Sequence, residues 1–272
     1  MGPKWPRRPF FFSRWVSLSA GFVVNSLNLF SYAFGLFSDS FKELGFSQRG
    51  VDLIASFGEL GLWSSFLVGL MIERIGPQGV YAAGAVFTFF GLGYVALADG
   101  DALPGGVASV AIGFMAANFG TACFGTTAQT VAVRNFPAGD RGKISGVIKC
   151  IFGLSSAVLG MVYEGLFGGA DPASFLLTLS ILVPLLGGAT AVLVNLLPPA
   201  HAAGYALERA QAAPTGLWPF YAWLGAVAAT LGALCVSVAL GASLSQPWAG
   251  IALLGIIGTA LLLPLRYGRV WI

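Results

Sequence analysis

Residues 105–132 read GGVASVAIGFMAANFGTACFGTTAQTVA, a run without a single charged side chain. A bilayer core of about 30 Å takes about 20 helical residues to cross, so this run is long enough to span one. Backbone polar groups find no water in hydrocarbon, so the run must be a helix. The ten-residue alternation of a membrane β-barrel is absent. Stretches of similar length and character flank it at 15–37, 51–72, 79–97, 144–167, 173–197, 217–240 and 248–265. The fold class expected is therefore all-α, a polytopic membrane protein of about eight transmembrane helices.

Composition points the same way. Of 272 residues, 57% are apolar and 9% are charged, where a soluble domain carries about 25% charged residues. Mean hydropathy is +0.83. So few polar side chains could not cover a water-facing surface. That excludes a cytosolic enzyme, a secreted disulfide scaffold and a nucleic-acid binder. Cys123, Cys150 and Cys235 all lie inside apolar segments and read as small hydrophobes. His201 stands without a second His or a nearby Cys, so neither a metal nor a cofactor is expected. No His and no Asp pair lies within a span, which removes the usual means of intramembrane catalysis, and no enzyme is expected. An ATP-driven pump lacks its G-x-x-x-x-G-K-S/T loop. The first span is too long and polar-interrupted for a cleaved leader, and Pro6 stands where a myristoylation motif needs Ser or Thr.

Charge placement sets an orientation. One side carries Lys4, Arg7, Arg8, Arg14, Arg74, Arg134, Arg141, Lys143, Arg209, Arg266 and Arg269, and the other only Lys42 and Arg49. Asp39, Glu43, Asp99, Asp101 and Asp171 fall with the second set. Basic loops stay in the cytoplasm, so both termini are expected there. The net charge of +3 is orientation chemistry and needs no nucleic-acid partner.

Polar residues inside the spans are the candidate site. Gly21, Asn25, Asn28, Tyr32 and Gly35 fall on one helical face about 80° wide in the first span. Asn118, Thr121, Gly125 and Gln129 form a similar stripe in the fourth. Such amides act either as interhelical glue, worth about 0.6 kcal/mol each, or as the lining of a wet cavity. Glu59 lies near the centre of its span, where an ionisable group must be neutralised, paired or hydrated. Burial should raise its pKa and suit it to exchanging a proton. Lys149 lies roughly 9 Å to the cytoplasmic side of its span's centre. It shares a stripe with Gly146, Gly153 and Gly160, whose seven-residue spacing predicts close helix packing. Glu59 and Lys149 differ in depth by roughly 13 Å, so a shared polar cavity is expected rather than an ion pair.

Gly69-Leu-Met-Ile-Glu73-Arg74-Ile-Gly76-Pro77 joins the second and third spans. It resembles the G-x-x-x-D-R-x-G loop of major facilitator superfamily transporters, with Glu73 for the usual Asp and Pro77-Gln78 replacing the basic end. Gly45-Phe-Ser-Gln48, Gly58-Glu-Leu-Gly-Leu-Trp63, Val133-Arg-Asn-Phe-Pro137, Arg141-Gly142 and Phe220-Tyr221 narrow the match. Together they resemble the nodulin-like branch of that superfamily over about 15–265. The resemblance implies an N-terminal six-helix bundle over 1–197, a cytoplasmic linker over 198–216, and a further helix pair with a short tail over 217–272. It also implies a conformational role for Gly69, Glu73, Arg74 and Gly76.

A facilitator rocks two six-helix bundles about a midplane site. This chain is therefore expected to be the N-terminal portion of one, or to assemble with a second copy or a C-terminal half. The expected function is alternating-access transport of a small polar or anionic solute, with proton coupling. Asn25, Asn28, Tyr32, Asn118 and Lys149 would bind the solute, Glu59 would be the proton-coupling or gating group, and the lipid bilayer and the solute would be the partners. The alternative is a non-transporting membrane interaction protein derived from a half-transporter.

Overall fold

The computed structural model describes residues 14–26, 28, 30, 32–100, 102–103, 105–136, 138–196, 218–239, 255 and 259. The linker expected at 198–216 and nearly all of the span at 248–265 lie outside them. The helices are α1 (Arg14–Asn25), α2 (Ser38–Glu43), α3 (Gln48–Trp63), α4 (Ser65–Asp99), α5 (Val107–Asn135), α6 (Arg141–Phe167), α7 (Pro172–Ala191) and α8 (Trp218–Ala239). No strand occurs among the described residues. Four stretches are long and apolar enough to cross a membrane: Gln48–Asp99, Val107–Asn135, Ala138–Phe167 and Pro172–Ala191.

The first of these stretches is two limbs folded on one residue. Gly76 has φ 77° and ψ 168°, outside the helical region, and Pro77 follows it. Neighbours show the reversal. Before the fold, Gly50, Gly58 and Gly61 face Val107, Phe114 and Met115 in turn, so this limb runs parallel to α5. After it, Gly84 faces Gly120 and Cys123, and Gly91 faces Gly113 and Ala117, so the second limb runs antiparallel to α5. Val68 and Val80, on either side of Gly76, share one apolar cluster with Ala122 and Cys123. The loop expected between residues 72 and 79 is thus compressed to a single glycine, whose missing Cβ permits that φ. Between α3 and α4 the Ser64 hydroxyl donates to the Leu60 carbonyl at 2.7 Å, a back-bond that bends helices.

The first span departs from expectation. It was expected to be helical over 15–37, but α1 stops at Asn25, and the next described regular elements are a 3₁₀ turn at Phe34–Leu36 and α2. Ser26 explains part of this, because its hydroxyl donates to the Val23 carbonyl at 2.7 Å and competes with the backbone ladder. Asn25, Asn28, Tyr32 and Gly35 therefore do not share one regular helical face. The break falls inside the stretch expected to cross the bilayer core, 15–37. Irregular backbone at that depth persists only where protein covers it or a cavity meets it. Asn25, Asn28 and Phe30 are all buried.

Helix ends gather into two groups. At one end, the Gln78 side chain donates to the Val194 carbonyl at 3.1 Å and to Asn195 Oδ1. Asn135 Nδ2 donates to the Asn195 carbonyl at 2.7 Å, and the Asn195 N–H donates to Ser17 Oγ at 3.3 Å. At the other end, Ser40 Oγ donates to Asp99 at 2.7 Å, and Asp171 caps α7 by accepting from the Ser174 N–H at 2.9 Å. The expectation of a helix to residue 197 fails because residues 192–196 leave the helix to make the first of these networks.

α4 packs closely on α5. A Cβ on Gly91 would stand 2.5 Å from the Ala117 nitrogen and 2.6 Å from the Gly113 carbonyl oxygen. On Gly120 it would stand 2.7 Å from the Gly84 carbonyl oxygen. Gly84 and Gly91, like Gly113 and Gly120, are seven residues apart and let the two backbones meet. The stripe expected to do this, Gly146, Gly153 and Gly160, does not: added Cβ atoms on the first two would meet nothing within 4 Å, and on the third only Leu36. Large apolar side chains face outward elsewhere, among them Phe66, Leu70, Phe90, Ile112 and Leu185. An outer face of that character suits hydrocarbon.

Candidate functional site

The polar residues inside the spans separate into a cavity and a buried seam. The cavity, about 150 Å³, is lined by Tyr32, Trp63, Thr121, Gln129, Lys149 and Phe152, with Gly125 between them. Five elements build it, with Leu62 and Trp63 coming from the end of α3 and Ser65 from the start of α4. The interrupted first span brings Tyr32, which is 59% exposed. Successive turns of α5 bring Thr121, Gly125 and Gln129, and α6 brings Lys149 and Phe152. Gln129 Nε2 donates to Ser145 Oγ at 3.0 Å, fixing α5 to α6 beside the opening.

Lys149 is exposed, with its ammonium 5.3 Å from the centre of the Phe152 ring. That cation–π contact is compatible with reaching a ligand, because the ring leaves the ammonium's hydrogen-bond donors unspent. Phe152 was not among the expected site residues. Its signal was present all the same, since it stands three residues beyond Lys149 on the same face of α6.

Glu59 is half-buried in α3 and does not line the cavity. Its carboxylate accepts a hydrogen bond from Trp63 Nε1 at 3.1 Å, and Trp63 is a lining residue. The acid and the cavity thus communicate through one indole ring.

The buried seam holds the three asparagines. Asn118 Nδ2 donates to the Phe114 carbonyl at 2.9 Å and lies where α3 meets α5, 3.1 Å from the position a Gly58 Cβ would take. Asn28 Nδ2 donates to the Thr121 carbonyl at 3.0 Å. Asn25 Oδ1 lies 3.4 Å from the position a Gly125 Cβ would take. Of the five residues expected to bind solute, Tyr32 and Lys149 line the cavity and Asn25, Asn28 and Asn118 stand behind its wall.

The fold-over at Gly76 carries the other expected residues. Glu73 lies 3.9 Å from Arg134 of α5, with both side chains more than half exposed. A pair so open to its surroundings contributes little to stability and is free to separate. Arg74 is exposed and unpaired by any described salt bridge, and Gly69 faces open space. Gly76→Val should lower stability by about 1–3 kcal/mol, the cost of holding a β-branched residue at positive φ. Gly69→Ala should leave it unchanged. Thermal unfolding in mild detergent compares the two.

Among the described residues every regular element is helical, and apolar outer faces with a cavity between helices that holds polar side chains define an integral membrane protein of transporter-like build. The nodulin-like family model matches residues 14–266, and the chain belongs to that family. No curated protein matches it. The family accords with the loop and helix motifs read from the sequence.

Proposed function

We propose that the protein is an alternating-access secondary transporter for a small polar or anionic solute. The observation that carries this reading is the Lys149 ammonium, set with Tyr32, Thr121 and Gln129 on the wall of an open cavity inside the spans. Lys149 supplies the positive charge, Tyr32 a hydroxyl, and Gln129 an amide already oriented by Ser145. A lysine at this depth is costly against lipid and becomes tenable beside water, protein or an anion. A second bundle, from a second copy or a C-terminal half, would close the open side.

In this reading Glu59 is the proton-coupling or gating group. Taking up a proton would alter its hydrogen bond with Trp63 and so the shape of the cavity wall. Glu73, Arg74, Gly69 and Gly76 would act as the conformational hinge, with both termini in the cytoplasm. Uptake into proteoliposomes under an inward proton gradient tests the assignment. Wild type should accumulate a small carboxylate above its external concentration. Glu59→Gln should still exchange solute across the membrane but no longer respond to the gradient. Equal gradient-driven accumulation by the variant would remove Glu59 from the mechanism.

A further inference from the structure

Asn25 and Asn28 have hydrogen-bonding capacity that the described residues do not use. Asn25 is fully buried, and neither its Oδ1 nor its Nδ2 has a partner among the described residues. Asn28 is also fully buried; its Nδ2 is spent on the Thr121 carbonyl, and its Oδ1 is an acceptor with no donor. Buried amide groups are normally paired, and leaving one unmade is costly.

These amides sit against the cavity and not in a remote part of the core. Thr121, which holds Asn28, lines the cavity, and so does Gly125, against which Asn25 Oδ1 rests. Thr121 and Gly125 are one α5 turn apart, about 6 Å along the axis. A Cβ on Gly125 would lie 3.2 Å from the Phe152 ring as well as 3.4 Å from Asn25 Oδ1, so this glycine is the thin point of the wall. Phe152 in turn carries Lys149 over its ring. A cation thus stands on the cavity wall, and two acceptor oxygens lie directly behind that wall at Thr121 and Gly125. The break after Asn25 means that no continuous helix ladder fixes Asn28 in place.

We propose that the solute is a small carboxylate bearing its own hydrogen-bond donor, a hydroxy or amino acid. Its carboxylate would face Lys149, and its hydroxyl or ammonium would donate to the oxygens of Asn25 and Asn28. The inference rests on the transport reading above and adds the donor end. A carboxylate without that donor leaves both oxygens bare. Sites built to hydrogen-bond a ligand group reject analogues that lack it far more strongly than apolar pockets reject a missing methylene.

The test uses three acids on the same carbon skeleton: propionate, L-lactate and L-alanine. Binding to the purified full chain in nanodiscs is measured by calorimetry. L-Lactate or L-alanine should bind at least about tenfold more tightly than propionate, and which of the two does so identifies the donor. Asn25→Leu and Asn28→Leu should each reduce the favoured acid to the level of propionate. Propionate binding as tightly as both other acids in wild type would overturn the inference and leave the transport reading standing. So would discrimination retained in both variants. No binding of any of the three would instead overturn the transport reading beneath it. The wild-type comparison stands even where a leucine variant fails to fold.

Discussion

Lys149→Gln should reduce the initial rate of carboxylate uptake in proteoliposomes about 30-fold or more. Losing one partner of a desolvated, hydrogen-bonded charge pair costs about 2–5 kcal/mol, and each 1.36 kcal/mol is a factor of ten. The effect should fall on transport and not on folding. Lys149 is exposed, and its described contact is with the face of Phe152, so glutamine removes charge without opening a hole. Lys149→Arg should retain part of the activity, because the charge remains while the compact ammonium becomes a planar fork. Thermal unfolding of all three proteins should coincide within about 0.5 kcal/mol, the usual range for an exposed substitution. Undiminished uptake by the glutamine variant would leave the cavity without a role for its cation.

Gly91→Leu should prevent the helices from assembling. A Cβ there would lie 2.5 Å from one α5 backbone atom and 2.6 Å from another, and backbone cannot rotate out of the way as a side chain can. Overpacking typically costs about 1–3 kcal/mol where side chains can shift. Here α4 must be pushed off α5 along its length, and about 3 kcal/mol or more is expected. Fluorescence-detected size exclusion should show loss of the monodisperse peak. Gly153→Leu is the matched control, since its Cβ would meet nothing within 4 Å, and it should elute like wild type. A stable Gly91→Leu protein would mean that α4 and α5 do not approach as described.

The contrast between these glycines marks what the sequence could convey. Apolar length located the helices well: the run at 105–132 became α5 (Val107–Asn135), and 144–167 became α6 (Arg141–Phe167). Spacing alone did not say which glycine stripe would meet a partner. Gly84/Gly91 and Gly113/Gly120 have the same seven-residue period as Gly146/Gly153, and tertiary packing decides which pair is used. The break after Asn25 was hidden for a related reason. Leu29, Phe30, Ala33 and Phe34 keep the segment apolar enough to read as helix, while the competing hydroxyl of Ser26 is a local effect that hydropathy does not register. Tyr32 and Lys149, both singled out by polarity at depth, line the cavity. Phe152 and Trp63 did not declare themselves, because an aromatic ring in a span is ordinary until a cation or an acid is found against it.

The polar knot at Asn195 has a mechanical meaning. Ser17, Gln78, Asn135 and the tail of α7 are lashed together there, so α1, the second limb of α4, α5 and α7 share a common anchorage at one end. A sideways pull on any one of them would be distributed to the others through these bonds. The knot includes no residue of α3 or α6, the helices that carry Glu59 and Lys149. Those two helices are held through α5 instead, α3 where a Cβ on Gly61 would run into the Met115 carbonyl oxygen and α6 where Gln129 donates to Ser145.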